Sequence, residues 1–159
     1  MGTATKFMDY YARLRPCTDD HQCGCAAVDK LLLVHIMTAS PVRCFACKGY
    51  VDPERLELTL QQVDAVASWD RVFGALYRLW LDSAEYEVWA KHQLLQSKGR
   101  VNVLGMEARD WLAQSRPTLY WWFHDTDDAL PVACPWCAGL LSATERHGSR
   151  QCNTCSIVV

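Results

Sequence analysis

The chain has 159 residues, enough for one domain with a core of its own, and nine of them are cysteine. A formal charge of −2 argues against a protein that holds nucleic acid through a broad cationic surface. Half of the residues are hydrophobic and seven are tryptophan, which excludes a disordered chain.

Residues 1–27 are polar and weakly patterned, with a short helix or loop around Tyr10 to Leu14. Met1 to Phe7 lack the apolar core of a secretory signal, and no stretch reaches the length of a membrane span. A reducing cytoplasm is therefore the expected setting, and disulfides rarely persist there. Leu31 to Met37 form an apolar run bounded by Pro41, which suits a buried strand with His35 as a core or edge histidine. Leu60, Val63, Val66, Ala67, Val72, Phe73, Leu76, Leu79 and Trp80 then recur at helical steps, with an interruption at Ser68 to Asp70 that leaves room for two helices. Asp82 to Glu85 has the form of a capping box, so a new helix is expected there, carrying Val88, Trp89, His92 and Leu95 and stopping by Gly99. Asn102 is placed to cap another, with Leu104, Ala108, Trp111 and Leu112 on one face and its end before Pro117.

Thr118 to His124 is β-branched and aromatic, a strand that packs the helices against the C-terminal region or, on an exposed sheet, a platform for stacking bases. Asp125, Asp127 and Asp128 read as a solvated acidic turn. The expected fold is α+β, a helical middle packed with short strands and a C-terminal zinc ribbon. Its segments are 1–58 (strand and zinc knuckle), 59–117 (helices) and 118–159 (strand and ribbon), all within one compact domain.

Six cysteines share one spacing: Cys44 and Cys47, Cys134 and Cys137, Cys152 and Cys155. Two intervening residues let a tight turn bring both sulfurs to one zinc ion, so each pair is half of a tetrahedral site. The last two pairs are 14 residues apart, close to zinc-ribbon spacing, with a polar hairpin turn through Glu145, Arg146, His147, Gly148 and Ser149 between them. A redox dithiol at Cys134 and Cys137 is the lesser reading, because no helical period follows it and a second identical pair is what a metal needs. Cys44 and Cys47 need two more ligands for a second site. Cys23 and Cys25 are the first choice, with Cys17 or His21 as alternates and a metal-free buried pair as the remaining possibility.

A closed four-cysteine site offers no position for substrate or activated water. The chain also lacks a nucleophile elbow, a phosphate-binding glycine loop and metalloprotease histidine spacing. The leading expectation is a non-enzymatic zinc protein that binds another protein. Four thiolates around one divalent zinc carry −2, so two sites would take the chain from −2 to −6 and favour a basic partner, as an inhibitor or antitoxin-like protein would have. Nucleic-acid binding is the second expectation, through Arg146, His147 and Arg150 with Lys91, Lys98 and Arg100 as neighbours. A metal- or thiol-dependent enzyme is the third, using an open site at Cys44, Cys47 and His21 or a reactive Cys17, Cys23 or Cys25.

Several separated segments resemble one family: Ser40-Pro41-Val42-Arg43-Cys44 with Cys47, Val101-Asn102 with Gly105, Pro117-Thr118 with Tyr120, and the two C-terminal cysteine pairs. It is a family of uncharacterised bacterial proteins described as zinc-ribbon-containing, with a suggested nucleic-acid-binding role. The resemblance spans about residues 40 to 156. It implies zinc at Cys134, Cys137, Cys152 and Cys155, adds weight to Cys44 and Cys47 as paired ligands, and implies no established activity. Ala138 stands where the family usually has glycine, the Ile157-Val158-Val159 tail departs from its aromatic one, and the cluster of Cys17, His21, Cys23 and Cys25 has no counterpart in it.

Overall fold

The computed structural model describes residues 9–144 and 146–159; the leader reading of Met1 to Phe7 and the Glu145 position of the hairpin turn lie outside them. A 3₁₀ turn at Tyr10–Leu14 leads into β1 (Leu31–Leu33) and β2 (Val42–Cys44). Three helices follow, α1 (Leu60–Asp82), α2 (Glu87–Leu95) and α3 (Arg100–Ala113). The chain ends in β3 (Thr118–Trp121), β4 (Ser142–Ala143), β5 (Arg150–Cys152) and β6 (Ile157–Val158).

The strands form one six-stranded sheet in the order β2-β1-β3-β6-β5-β4. β1 and β6 flank β3 in parallel, and the outer pairs are antiparallel. Strands from the first and last segments of the chain therefore share a sheet, and the C-terminal hairpin is built into it through β6. Successive side chains of β1 leave on opposite faces, and Leu31, Leu32 and Leu33 are all fully buried because both faces are covered. Leu31, Leu33, Tyr120 and Ile157 pack toward the helices. Leu32, Leu119 and Val158 form a smaller cluster roofed by Phe45 and Trp121. An apolar run without alternation is what a strand covered on both faces requires.

The helical region departs from the sequence reading in three places, each for a physical reason. α1 is continuous through Ser68 to Asp70, because Trp69 between them is fully buried and Asp70 reaches across to His35 Nδ1 at 2.8 Å. It starts at Leu60, as the periodicity implies, under a capping box: Thr59 Oγ1 accepts from Gln62 N–H, and Gln62 Oε1 accepts from Thr59 N–H. At the next junction the expected box gives way to a 3₁₀ turn at Ala84–Tyr86, where Ala84 N–H donates to Glu87 Oε1.

Asn102 is the third departure. Gly99 precedes α3, and Asn102 lies inside that helix, fully buried. Its Nδ2 donates to the carbonyls of Leu94 and Gln96 at 2.9 Å each, so it satisfies orphan carbonyls at the end of α2. Its Oδ1 accepts from Tyr120 Oη at 3.0 Å, and Tyr120 Oη accepts from Trp69 Nε1 at 3.3 Å. Three helices and the central strand thus share one buried polar chain. Gly105 leaves the room for it, since a Cβ there would lie 2.5 Å from Tyr120 Cζ and 2.8 Å from Trp69 Nε1.

Tyr120→Phe removes the middle of this chain and leaves Trp69 Nε1–H and Asn102 Oδ1 without their partner. The expected loss is about 1–3 kcal/mol of unfolding free energy with an unchanged denaturant m-value, read from equilibrium urea denaturation.

Candidate metal centres

The cysteines gather into two groups of four: Cys23, Cys25, Cys44 and Cys47, and Cys134, Cys137, Cys152 and Cys155. Within each group all sulfurs lie within 4.8 Å of one another, and none of the nine cysteines is disulfide-bonded. Cys17 stays outside both groups, exposed, with its N–H on the Thr38 carbonyl. His21 is also outside; its carbonyl accepts from Tyr50 N–H, which sets the backbone leading to Cys23.

The three cysteine turns are built alike. The residue after each second cysteine is left-handed: Lys48 at φ 60°, Ala138 at φ 62° and Ser156 at φ 51°. In the first two turns the chain then curls back over the sulfur. Lys48 N–H donates to Cys44 O and Gly49 N–H to Cys47 Sγ; Ala138 N–H donates to Cys134 O and Gly139 N–H to Cys137 Sγ. Trp136 N–H adds a further donor to Cys134 Sγ. Amide dipoles aimed at sulfur favour thiolate, the form that binds metal. Ala138 thus occupies a conformation that glycine adopts without strain.

Donor chemistry and spacing fit a divalent, thiophilic ion. A tetrahedron of sulfurs at 2.3 Å from zinc has edges of about 3.8 Å, and Cys137 Sγ lies 3.7 Å from Cys152 Sγ. Crowding splits the thiol acidities in the same way at both centres. Burial opposes ionisation of Cys23, but the Cys25 backbone N–H and the neighbouring thiols prevail and lower its pKa to about 7. The Gly139 N–H brings Cys137 down to about 7. The Cys47 and Cys23 thiols push Cys25 up to about 12, and burial raises Cys44, Cys134 and Cys155. Each group therefore has one thiol shifted toward ionisation beside two that are shifted away from it.

The supports around the centres were not visible in the spacing of the cysteines. Arg55 donates to the carbonyls of Cys23 and Cys25, at 2.9 Å for the first. Arg43, almost fully buried, donates through Nε to Lys48 O at 2.8 Å and pairs with Asp20. Arg109 from α3 donates to Cys155 O. Carbonyls at Cys23, Cys25, Lys48 and Cys155 are thus met by arginine side chains. Gly49 is the second support. A Cβ there would stand 2.7 Å from the Cys23 nitrogen and 2.9 Å from its Cα, so only glycine lets Cys23 approach the first knuckle.

No protein-family model, curated protein or solved structure matches the chain. The centres therefore rest on their own geometry.

The residues considered for nucleic acid are largely engaged in holding the fold. His147 donates from Nε2 to the Phe45 carbonyl and lies edge-on to the Phe45 ring. Burial, with Lys48 and Arg146 nearby, lowers its pKa below the usual imidazole value. Arg150 donates to Pro131 O, Lys91 pairs with Asp125 and Asp128, and Lys98 sits 3.2 Å from the Trp136 ring centroid. Arg146 is exposed. The acidic turn thus has a structural use, since Asp125 and Asp128 together hold Lys91 and tie the turn to α2.

Gly49→Ala is expected to separate Cys23 and Cys25 from Cys44 and Cys47 and to lower the zinc bound per chain by one. Gly24→Ala, with nothing within 4 Å of the added carbon, should leave the metal content unchanged; elemental analysis of the two purified variants checks the pair.

Proposed function

We propose that the chain is a non-enzymatic zinc protein, with one structural ion at each cysteine group, that acts by binding a basic protein partner. The observation that carries this reading is the completeness of both donor sets. Four sulfurs fill a tetrahedral zinc ion and leave no position for water or substrate, so the ions would supply folding energy and a fixed surface rather than a reaction. Cys134, Cys137, Cys152 and Cys155 would hold the first ion, in a zinc ribbon joined to the main sheet through β6. Cys23, Cys25, Cys44 and Cys47 would hold the second.

Charge supports the choice of partner. With both ions bound the chain would carry about −6 in place of −2, a field that draws basic proteins and repels phosphate. An inhibitor or antitoxin-like role toward a basic protein is the form of this reading we favour. A reducing, cytoplasmic setting, where thiols stay free to bind metal, goes with this reading. Among the described residues no helix is long and apolar enough to cross a membrane.

A nucleic-acid-binding role, in line with the family resemblance, is the second reading. The observation favouring it is the outer face of the sheet, where Lys30 lies 4.3 Å from the Phe45 ring centroid and Lys48 lies 5.2 Å from that of Trp121. Rings and cations on one sheet face can take stacked bases. Both rings already carry lysines of this chain, and the metallated charge opposes phosphate, so this reading ranks second. Titration against single- and double-stranded DNA and RNA at low salt, where phosphate contacts are strongest, separates the two: absence of binding there removes the second reading.

Metal analysis of the full chain purified without chelator is expected to give two zinc ions, falling to one in Cys47→Ser and to one in Cys137→Ser. His21→Ala should retain two. A zinc-free protein would overturn the reading, and loss of one ion from His21→Ala would point instead to an open, histidine-bearing site suited to catalysis.

A further inference from the structure

The corner between α1 and α2 presents an apolar groove that the fold does not use. Leu79, Glu85, Tyr86 and Trp89 line a cleft of about 510 Å³. Around it Leu81, Tyr86 and Trp89 are each about half exposed and Val88 is 83 % exposed. α2 buries Ala90 and Leu94 on its inner side, so its outer side keeps apolar residues in water. Contiguous exposed aromatic and aliphatic surface of this kind marks an interaction site, and tryptophan and tyrosine are the residues that most often dominate binding energy.

The rim is acidic. Residues 79–90 include Asp82, Glu85 and Glu87 and no lysine or arginine. The flanking cations are directed elsewhere: Lys91 pairs with Asp125 and Asp128, and Arg78 lines a different cleft with His35 and Gly74. The corner is also held in shape. Ser83 Oγ donates to Leu79 O, Ala84 N–H donates to Glu87 Oε1, and Ala84 stands at φ 52°, a left-handed conformation costly for alanine. A surface fixed before binding loses less entropy when it is occupied.

We infer that this corner is the docking site for the basic partner, and that the occupant is a cationic amphipathic helix. Its apolar side chains would enter the cleft between Tyr86 and Trp89, and its lysines or arginines would face Asp82, Glu85 and Glu87. The inference rests on the basic-partner reading above and gives that reading a place on the molecule. A groove formed where two helices meet suits a helical ligand anchored at three- and four-residue steps. A second copy of this chain is a poor occupant, because a two-fold contact through this patch would set its three carboxylates against their own counterparts.

The test is calorimetric titration of the zinc-loaded full chain with a synthetic leucine–lysine amphipathic helix of about five turns, and with its leucine–glutamate twin. Binding of the lysine peptide alone is expected, weakened at least about tenfold by Trp89→Ala and by Glu85→Lys. Both residues are exposed, so circular dichroism of the variants should match the parent. If the lysine peptide binds and neither variant weakens it, the corner is not the site, while the basic-partner reading survives. If neither peptide binds, both fail. Equal binding of the two peptides would show apolar adhesion without charge selection and overturn the inference. So would a dimer of the parent chain that Trp89→Ala abolishes.

Discussion

A thiolate held away from water costs several kcal/mol unless its charge is met, and this chain brings eight cysteine sulfurs into two tight groups. Neutral thiols could pack there, but the turns are not shaped for neutral sulfur. Gly49 and Gly139 aim N–H groups at Cys47 and Cys137, and Cys23 and Cys137 are shifted toward ionisation while Cys25, Cys44, Cys134 and Cys155 are pushed the other way. A divalent cation removes this conflict, since it lets all four sulfurs ionise at once. The arrangement of the strands follows from the same constraint. Cys44 ends β2 opposite Leu31, and Cys152 ends β5 opposite Ile157, so each sulfur group is built into the sheet it would stabilise.

Arginine completes these centres. Arg55, Arg43 and Arg109 satisfy backbone carbonyls at Cys23, Lys48 and Cys155. Arg109 comes from α3, the helix that also carries Asn102 and Gly105. The helical layer is thus connected to one cysteine turn by Arg109 and to the central strand by the Trp69, Tyr120 and Asn102 chain. Disturbing either connection should be felt in the other, because both act through one helix.

Six of the eight metal candidates were legible because their signal is local, two residues between cysteines being a turn, whereas Cys23 and Cys25 were a choice among Cys17, His21, Cys23 and Cys25 made on ligand chemistry. The surroundings were not legible, because each depends on a distant partner. Asp70 reads as a break in α1 until His35 is seen across from it. Asn102 reads as the cap of its own helix, whereas its amide serves the end of the preceding one. Leu31 to Met37 reads as one strand, but the ladder covers Leu31–Leu33, and Val34 N–H is then taken by Pro41 O in the connection to β2. Gly49 reads as an ordinary turn glycine until the Cys23 backbone is found against it. The Tyr10–Leu14 turn was readable in place, since its Asp9 cap is a neighbour in sequence.

If the two sulfur groups hold the sheet through bound zinc, binding energy on the order of 10 kcal/mol per site is folding energy. Amide hydrogen exchange of the full chain, compared before and after complete zinc removal, tests it most directly. Removal should expose to rapid exchange not only the cysteine turns but the protected amides of β1, β3 and β6, which lie between the two groups in the sheet. Unchanged protection of those three strands in fully zinc-free protein would contradict the account.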